Sequence, residues 1–375
     1  MLVLSHGGRT IFASDAPSSQ LWVATADGLY LLTRSARGAW EISRKVLEGR
    51  HVSAVDVHGD VLVAGMHNGG VAVSEDGGKT WEFRNEGLSF LNVYAVHLCW
   101  RDGRYVLYVG TEPVHLFVSE DLGRHWRELI RLRQAPSAPE WRFPAPPNLA
   151  HVKFLTSDPR DSQTLYACIE QGGLLRSWDG GETWEDLTGR GFNDDCHRLV
   201  IRPSAPEQMF IPTGFGLYQT CDGGKTWEDI SERIRGIGYP DLMVYHPYDD
   251  RLLFLAGAGS IPFVWAQRGT ATPRIARSRD GGRSWEFVGC EITDILTSNF
   301  EAMSVEGWAG GSVIYVGNTD GEVYMSEDEG ERWVKIASGL PPISKGGHYL
   351  LLKYGLRGLA EYDAYLNPQR LTTAS

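Results

Sequence analysis

Paired cysteines are missing from this sequence. The five present (Cys99, Cys168, Cys196, Cys221 and Cys290) are odd in number, widely spaced and form no C-x-x-C pair. That excludes a disulfide framework or a structural zinc knot as the source of stability, so packing must supply it. Cys196, beside His197, reads as a packed thiol. Long apolar runs are missing too: nowhere do 18 consecutive apolar residues occur, which argues against a membrane partner. Basic residues are in deficit, with 36 Lys plus Arg against 47 Asp plus Glu and a formal charge of −11. Such a surface repels a phosphate backbone, so nucleic acid is not the expected partner. Met1–Thr10 has neither a basic leader region nor an apolar stretch, and the chain reads as cytoplasmic. With 42% hydrophobic and 22% charged residues over 375 positions, disordered and fibrous classes are excluded.

What the chain has in plenty is Gly (44) and Trp (13), and both recur periodically. The pattern Ser/Thr-x-Asp-x-Gly-x-x-Trp occurs six times, beginning at Ser74, Ser119, Ser177, Thr220, Ser278 and Ser326. A worn seventh copy runs from Thr33 to Trp40, with Ser35 in place of the Asp and Arg37 in place of the Gly. The pattern reads as a hairpin staple: a carboxylate accepting backbone N–H groups, a Gly at positive φ and a Trp folded back over the turn. Short β-rich runs flank each copy, making four strands per repeat, and four-stranded units of this length read as propeller blades.

These residues resemble the Asp-box, or bacterial neuraminidase, repeats of sialidases, xyloglucan hydrolases, sortilin-type receptors and photosystem II assembly-factor propellers. The resemblance covers about residues 20–340 and implies an all-β, seven-bladed propeller of four-stranded antiparallel blades in a single domain, 1–375. Blade cores are expected over about 20–357. The segment His348–Tyr354 is expected to close the ring as an inner strand, followed by a tail over 358–375. The resemblance also places the box turns on one face, and the inner-strand starts and the turns after each second strand on the other. Two insertions, 129–147 with Trp141 and 257–277 with Trp265, are expected as lids over that second face.

Aligned on their hydrophobic runs, the seven inner-strand starts offer His51, Asn92, His151, His197, Asp241, Glu301 and His348. Side chains at these positions would converge on the central axis. Four imidazoles facing one point predict a transition-metal site on His51, His151, His197 and His348, with iron favoured and copper, zinc or manganese as alternatives. The arrangement is similar to that of the carotenoid-cleaving dioxygenases, although none of that family's sequence motifs is present. Glu301 and Asp241 would stand behind the histidines, and His67, Glu112 and Glu170 would reach the same face as acid, base or orienting groups. Asn92, Trp141, Phe215, Trp265 and Trp308 would contact substrate.

The function expected from this column is a metal-dependent enzyme acting on a small organic substrate, an oxygenase first and a hydrolase or lyase otherwise. A glycoside hydrolase of the Asp-box type is the first alternative, with Asp241 and Glu301 as a carboxylate pair. A sialidase would also need an Arg-Ile-Pro type motif near the N-terminus, and the nearest string, Trp141-Arg142-Phe143-Pro144, lies in the wrong blade. A non-catalytic scaffold is the second alternative. Nothing in the sequence speaks to oligomeric state.

Overall fold

A computed structural model describes residues 1–358, 360 and 361 and contains seven sheets arranged as the blades of an all-β propeller. Blades two to seven each form from consecutive antiparallel strands, as in blade four, with strands His151–Asp158, Asp161–Glu170, Gly173–Ser177 and Glu185–Asp186. The inner strands of the other five are Val52–His58, Val93–Arg101, Val200–Arg202, Tyr239–His246 and Phe300–Trp308.

The six repeats fold as one recurrent turn between third and fourth strands. At Ser74 the hydroxyl donates to Asp76 Oδ1 (2.8 Å) and accepts from Gly78 N (2.9 Å), while the Asp76 carboxylate accepts from Lys79 N and Thr80 N. Gly78 has φ +83°, and a Cβ there would lie 2.4 Å from Trp22 of the preceding blade, so the turn doubles as an inter-blade contact. The worn copy keeps only the hairpin, closed between Ser35 N and Ala39 O (2.8 Å).

Ring closure differs from the expectation. His348–Tyr354 is an α-helix. Its central Leu-Leu-Leu-Lys run has no β-branched residue, and leucine and lysine are good helix formers. The innermost position of blade one is instead taken by Leu2–Leu4, which pairs parallel with Leu21–Val23. The N-terminal chain then crosses the central channel, and Ile11–Ala13 adds a parallel strand inside blade seven, against Val305–Gly307. This strap is bonded to blades on both sides: Gly7 N donates to Ser53 O, Val96 N to Gly7 O and Val305 N to Thr10 O. The blade cores therefore begin at residue 2, not near 20. Most of the expected tail, 358–375, lies outside the described residues.

Two long segments separate strands of the blades, between Glu128 and His151 and between Ala258 and Pro273. The first holds short 3-10 turns at Ile130–Gln134 and Ala138–Glu140. The second is confined to residues 259–272, because Gly257 and Ala258 still pair with Arg274 and Pro273; it carries the helix Pro262–Arg268.

The strap passes so close to its neighbours that a Cβ on Gly8 would sit 2.0 Å from Val55 O, whereas one on Gly310 would meet nothing within 4 Å. Gly8→Ala is expected to cost about 1–3 kcal/mol of stability, as overpacking does. Gly310→Ala should stay within about 0.5 kcal/mol, as ordinary surface changes do. Urea denaturation of both variants checks this, and equal stability would show that the strap does not brace the channel.

Candidate functional site: the axial chamber

Five inner strands share a departure from regular pairing near their start. The ladder skips one residue between Val52 and Ala54, Val93 and Ala95, Val152 and Phe154, Pro240 and Leu242, and Phe300 and Ala302. The residues passed over are Ser53, Tyr94, Lys153, Asp241 and Glu301. Blade five pairs only through an isolated Cys196–Thr213 bridge before Val200, which puts Arg198 in the corresponding place. A bulge re-aims the side chain that the pleat would otherwise send to a neighbouring blade. All six of these residues are buried.

Around this ring the ionisable groups interlock. Lys153 Nζ is 2.7 Å from Glu170 Oε2, and His151 Nε2 is 2.5 Å from the same oxygen. Lys345, from the segment after blade seven, donates from Nζ to Asp241 Oδ2 (2.7 Å) and to the Tyr239 hydroxyl (3.2 Å), and lies 3.9 Å from Glu170 Oε1. His197 Nε2 is 3.6 Å from Glu170 Oε1 and 3.7 Å from Asp195 Oδ1. Glu301 accepts from Ser344 Oγ and Lys345 N with one oxygen and contacts His348 Nδ1 (2.9 Å) with the other. The floor is the N-terminal strap, whose His6 Nδ1 bonds Glu301 O (3.0 Å). The roof is aromatic: Phe143 of the first insertion lies 5.4 Å from His151. Trp265 of the second packs edge-on against Tyr239 (5.4 Å) and His348 (5.6 Å).

Several buried atoms in the chamber have no hydrogen-bond partner: both His151 ring nitrogens, Lys153 Nζ, His197 Nε2, Asp195 Oδ1 and Asp241 Oδ1. For Lys153 and His151 the close contacts to Glu170 are ionic in distance but lie outside hydrogen-bonding geometry. Unsatisfied buried groups are few in native proteins and mark functional or solvent-filled sites when they cluster.

The electrostatics split like groups apart. Burial drives Asp195 up, with Glu170 adding to the effect, to about 7. Burial would raise Glu170 as well, but Lys153, Lys345 and His151 hold it well below the usual carboxylate range. Of the two amines, burial lowers Lys153, whereas Asp241 and Tyr239 overcome burial and raise Lys345. Carboxylates pushed in opposite directions are the mark of acid and base partners.

The residues expected from sequence fall into three groups. Glu170, Asp241, Glu301, His151 and His197 meet in the chamber. Asn92, His67 and Glu112 form a chain at its edge, with His67 Nδ1 2.7 Å from Asn92 Oδ1 and Asn92 Nδ2 3.0 Å from Glu112 Oε1. Trp265 belongs to the roof, whereas Trp141 packs beside Gly172 and against the apolar core of blades three and four, Phe215 is 58% exposed, and Trp308 pairs with Gly311 at the far end of its strand, away from the mouth. The four histidines do not gather on one point. His51 Nε2 is bonded to Ser344 O (2.9 Å) and His348 Nδ1 to Glu301. Among the described residues the group whose ligand atoms approach within 4.8 Å is Glu170, Asp195 and His197. The reason is register: His51, Asn92 and His151 stand two residues before the bulge, His197 one before, and Asp241 and Glu301 on it. Lys153, Arg198, Tyr239, Asp195 and Lys345 were not anticipated. Lys153 follows His151, and Tyr239 precedes Asp241, by two residues, the strand period that would have flagged them. Cys196 is packed with its pKa raised by burial and by Cys168, as an inert thiol should be.

No family model and no curated protein matches this chain. Solved structures do resemble it in fold. A GH74 xyloglucanase from Xanthomonas campestris superposes with a TM-score of 0.65 at 17% identity, over 90% of this chain and 55% of the xyloglucanase. YCF48 bound to D1 peptide matches with a TM-score of 0.55 at 17% identity over 84% of this chain and 92% of its own. YCF48 from Cyanidioschyzon merolae gives 0.57 at 18% over 85% and 95%. At these identities the likeness establishes the seven-bladed fold.

The chamber also sets a pH dependence. Burial holds His51 and His197 at about 3 and His67 at about 4. Each is neutral in the fold and chargeable in the unfolded chain, so its contribution is complete above about pH 6.5 and is lost as pH falls toward those values. Asp195, raised to about 7, works in the opposite sense between about pH 4 and 7 but is outnumbered. Stability is therefore expected to fall from pH 7 to pH 5 in urea titrations, and His197→Asn should reduce the slope by about 1.4 kcal/mol per pH unit. A flat profile would contradict the assignment.

Proposed function

We propose that the chain is an enzyme acting on a small organic substrate in the axial chamber by proton-transfer chemistry, a hydrolase, lyase or isomerase in reaction class. The observation that carries this reading is the convergence of buried, incompletely bonded ionisable groups from blades four to seven and from the segment that follows them. Burying two amines and at least four carboxylates is costly, and apolar replacements of such groups are commonly as stable or more so, so a bracing role does not account for the ring. In this reading Asp195 is the proton donor, Glu170 and His197 are acceptors, and Lys153 and Lys345 hold developing negative charge. The aromatic roof of Phe143 and Trp265 keeps water out, which requires the insertions to part for substrate.

The three-ligand group of Glu170, Asp195 and His197 supports a second reading, a metal-assisted hydrolase or lyase. Two carboxylates and an imidazole suit a divalent transition metal, iron being the one the sequence favoured. The ammonium of Lys153, 2.7 Å from Glu170, competes for the same negative charge, and this places the metal reading second. The histidine-ligated oxygenase loses its support with the dispersal of the four histidines. The glycoside-hydrolase alternative rests on fold likeness, and the scaffold alternative on the likeness to YCF48.

The test compares wild type with the double variant Lys153→Met/Glu170→Leu against a panel of small esters, lactones, amides and hydroxy acids, with xyloglucan as a control, alongside elemental analysis. Turnover of at least one small substrate, lost in a variant that melts within about 5 °C of wild type, is expected. Stoichiometric metal lost in the variant would favour the second reading. No turnover together with a collapsed melting temperature would identify the ring as a structural brace and favour the scaffold.

A further inference from the structure

The central channel has a second opening, on the face where the inner strands end, and the strap leaves a cavity of about 170 Å³ there. It is bounded by Arg9 of the strap, Asp56, His97, Phe154, Arg198 and Tyr245, together with apolar strand residues such as Met243. Its charges do not balance. Asp56 is spent on Arg9 (3.0 Å) and on the backbone N–H of Leu98 (2.9 Å) and Val57 (2.7 Å). His97 is held at about 4 by burial and adds no charge at neutral pH.

Arg198 is different. It is fully buried, and among the described residues no carboxylate lies within ion-pair distance of it. Its Nη2 donates to His6 O (2.5 Å) and its Nη1 to Thr10 Oγ1 (3.4 Å). Its guanidinium lies 4.2 Å over the Phe154 ring, and its Nε–H has no partner. A buried guanidinium without a contacting counter-ion is costly, and burial lowers Arg198 to about 10. Asp241 acts on Arg198 only from a distance and is held by Lys345 (2.7 Å), and Asp56 is held by Arg9, so the Arg198 guanidinium stands beside an apolar wall with no carboxylate in contact.

We propose that this cavity is a second ligand site, across the strap from the chamber, for a small organic monocarboxylate. The carboxylate pairs with Arg198, and the apolar body lies against Phe154, Met243 and Tyr245. The volume sets the size: a cavity of about 150 Å³ holds a benzene ring. Charge and apolar wall together distinguish this ligand from an inorganic anion, which would leave the wall unused, and from a neutral arene, which would leave Arg198 unpaired.

Benzoate, benzamide and inorganic phosphate titrated into the full chain by calorimetry, up to about 10 mM, test the proposal. Benzoate is expected to bind saturably at one per chain, with benzamide and phosphate at least about ten-fold weaker. Arg198→Met should abolish benzoate binding. Because that variant removes a buried group and its folding is at risk, Thr156→Trp, which blocks the cavity from its wall and leaves Arg198 in place, should abolish binding as well. Glu170→Gln, in the chamber, should leave it unchanged, which separates this site from the proposed reaction. Benzamide or phosphate binding as well as benzoate, no benzoate binding, or binding that survives Thr156→Trp would overturn the proposal.

Discussion

The bulge near the start of the inner strands is the constraint on which the site depends. A regular strand sends alternate side chains to the two adjacent blades, where valine, alanine and leucine build the core. Skipping one residue in the ladder releases a side chain from both faces, and around a ring of blades the released positions point to a common axis. Ser53, Tyr94, Lys153, Asp241 and Glu301 occupy them. The glycines opposite, Gly65 and Gly110, are fixed by the same geometry, since a Cβ there would run into Val93 and Val152 of the next blade.

Two segments outside the repeats cover this ring from both sides. The strap supplies the floor and ties blade one to blade seven. The segment after blade seven crosses the mouth, donates from Lys345 into the ring and ends in a helix against the second insertion. Neither segment carries a repeat signature, yet each places a cation or an imidazole where the repeats place carboxylates. The positive charge that offsets Glu170 and Asp241 comes from Lys153 of blade four and Lys345 of the segment after blade seven, and a low-dielectric interior makes each of those pairings strong and each omission costly.

The fold was legible because the repeat is written in local chemistry. A serine, an aspartate, a glycine and a tryptophan at fixed offsets specify a turn without reference to anything distant, and six copies with the worn seventh set the blade number. The site was legible only in part. Glu170, Asp241 and Glu301 were found because polar residues at the edge of a hydrophobic run stand out. The bulge hid the register: an alignment on hydrophobic runs alone brought His51 and His151 level with Asp241 and Glu301, two residues out of step, and so drew four histidines together that the strands hold apart. Lys345 and the strap could not be placed from pattern, since their positions depend on packing across the whole ring. The apolar character of His348–Tyr354 suggests a strand, while its leucine-rich composition and flanking glycines favour the helix that forms.

Carboxyl-carbon NMR of selectively labelled Glu and Asp, followed from pH 3 to pH 9, addresses the chamber most directly. Glu170 is expected to remain ionised well below the ordinary carboxylate range, held there by Lys153 and Lys345, and Asp195 to titrate near 7, raised by burial and by Glu170. Ordinary titration of both, near 4, would mean that they stand in water and that the axial chamber is not the enclosed acid–base centre described here.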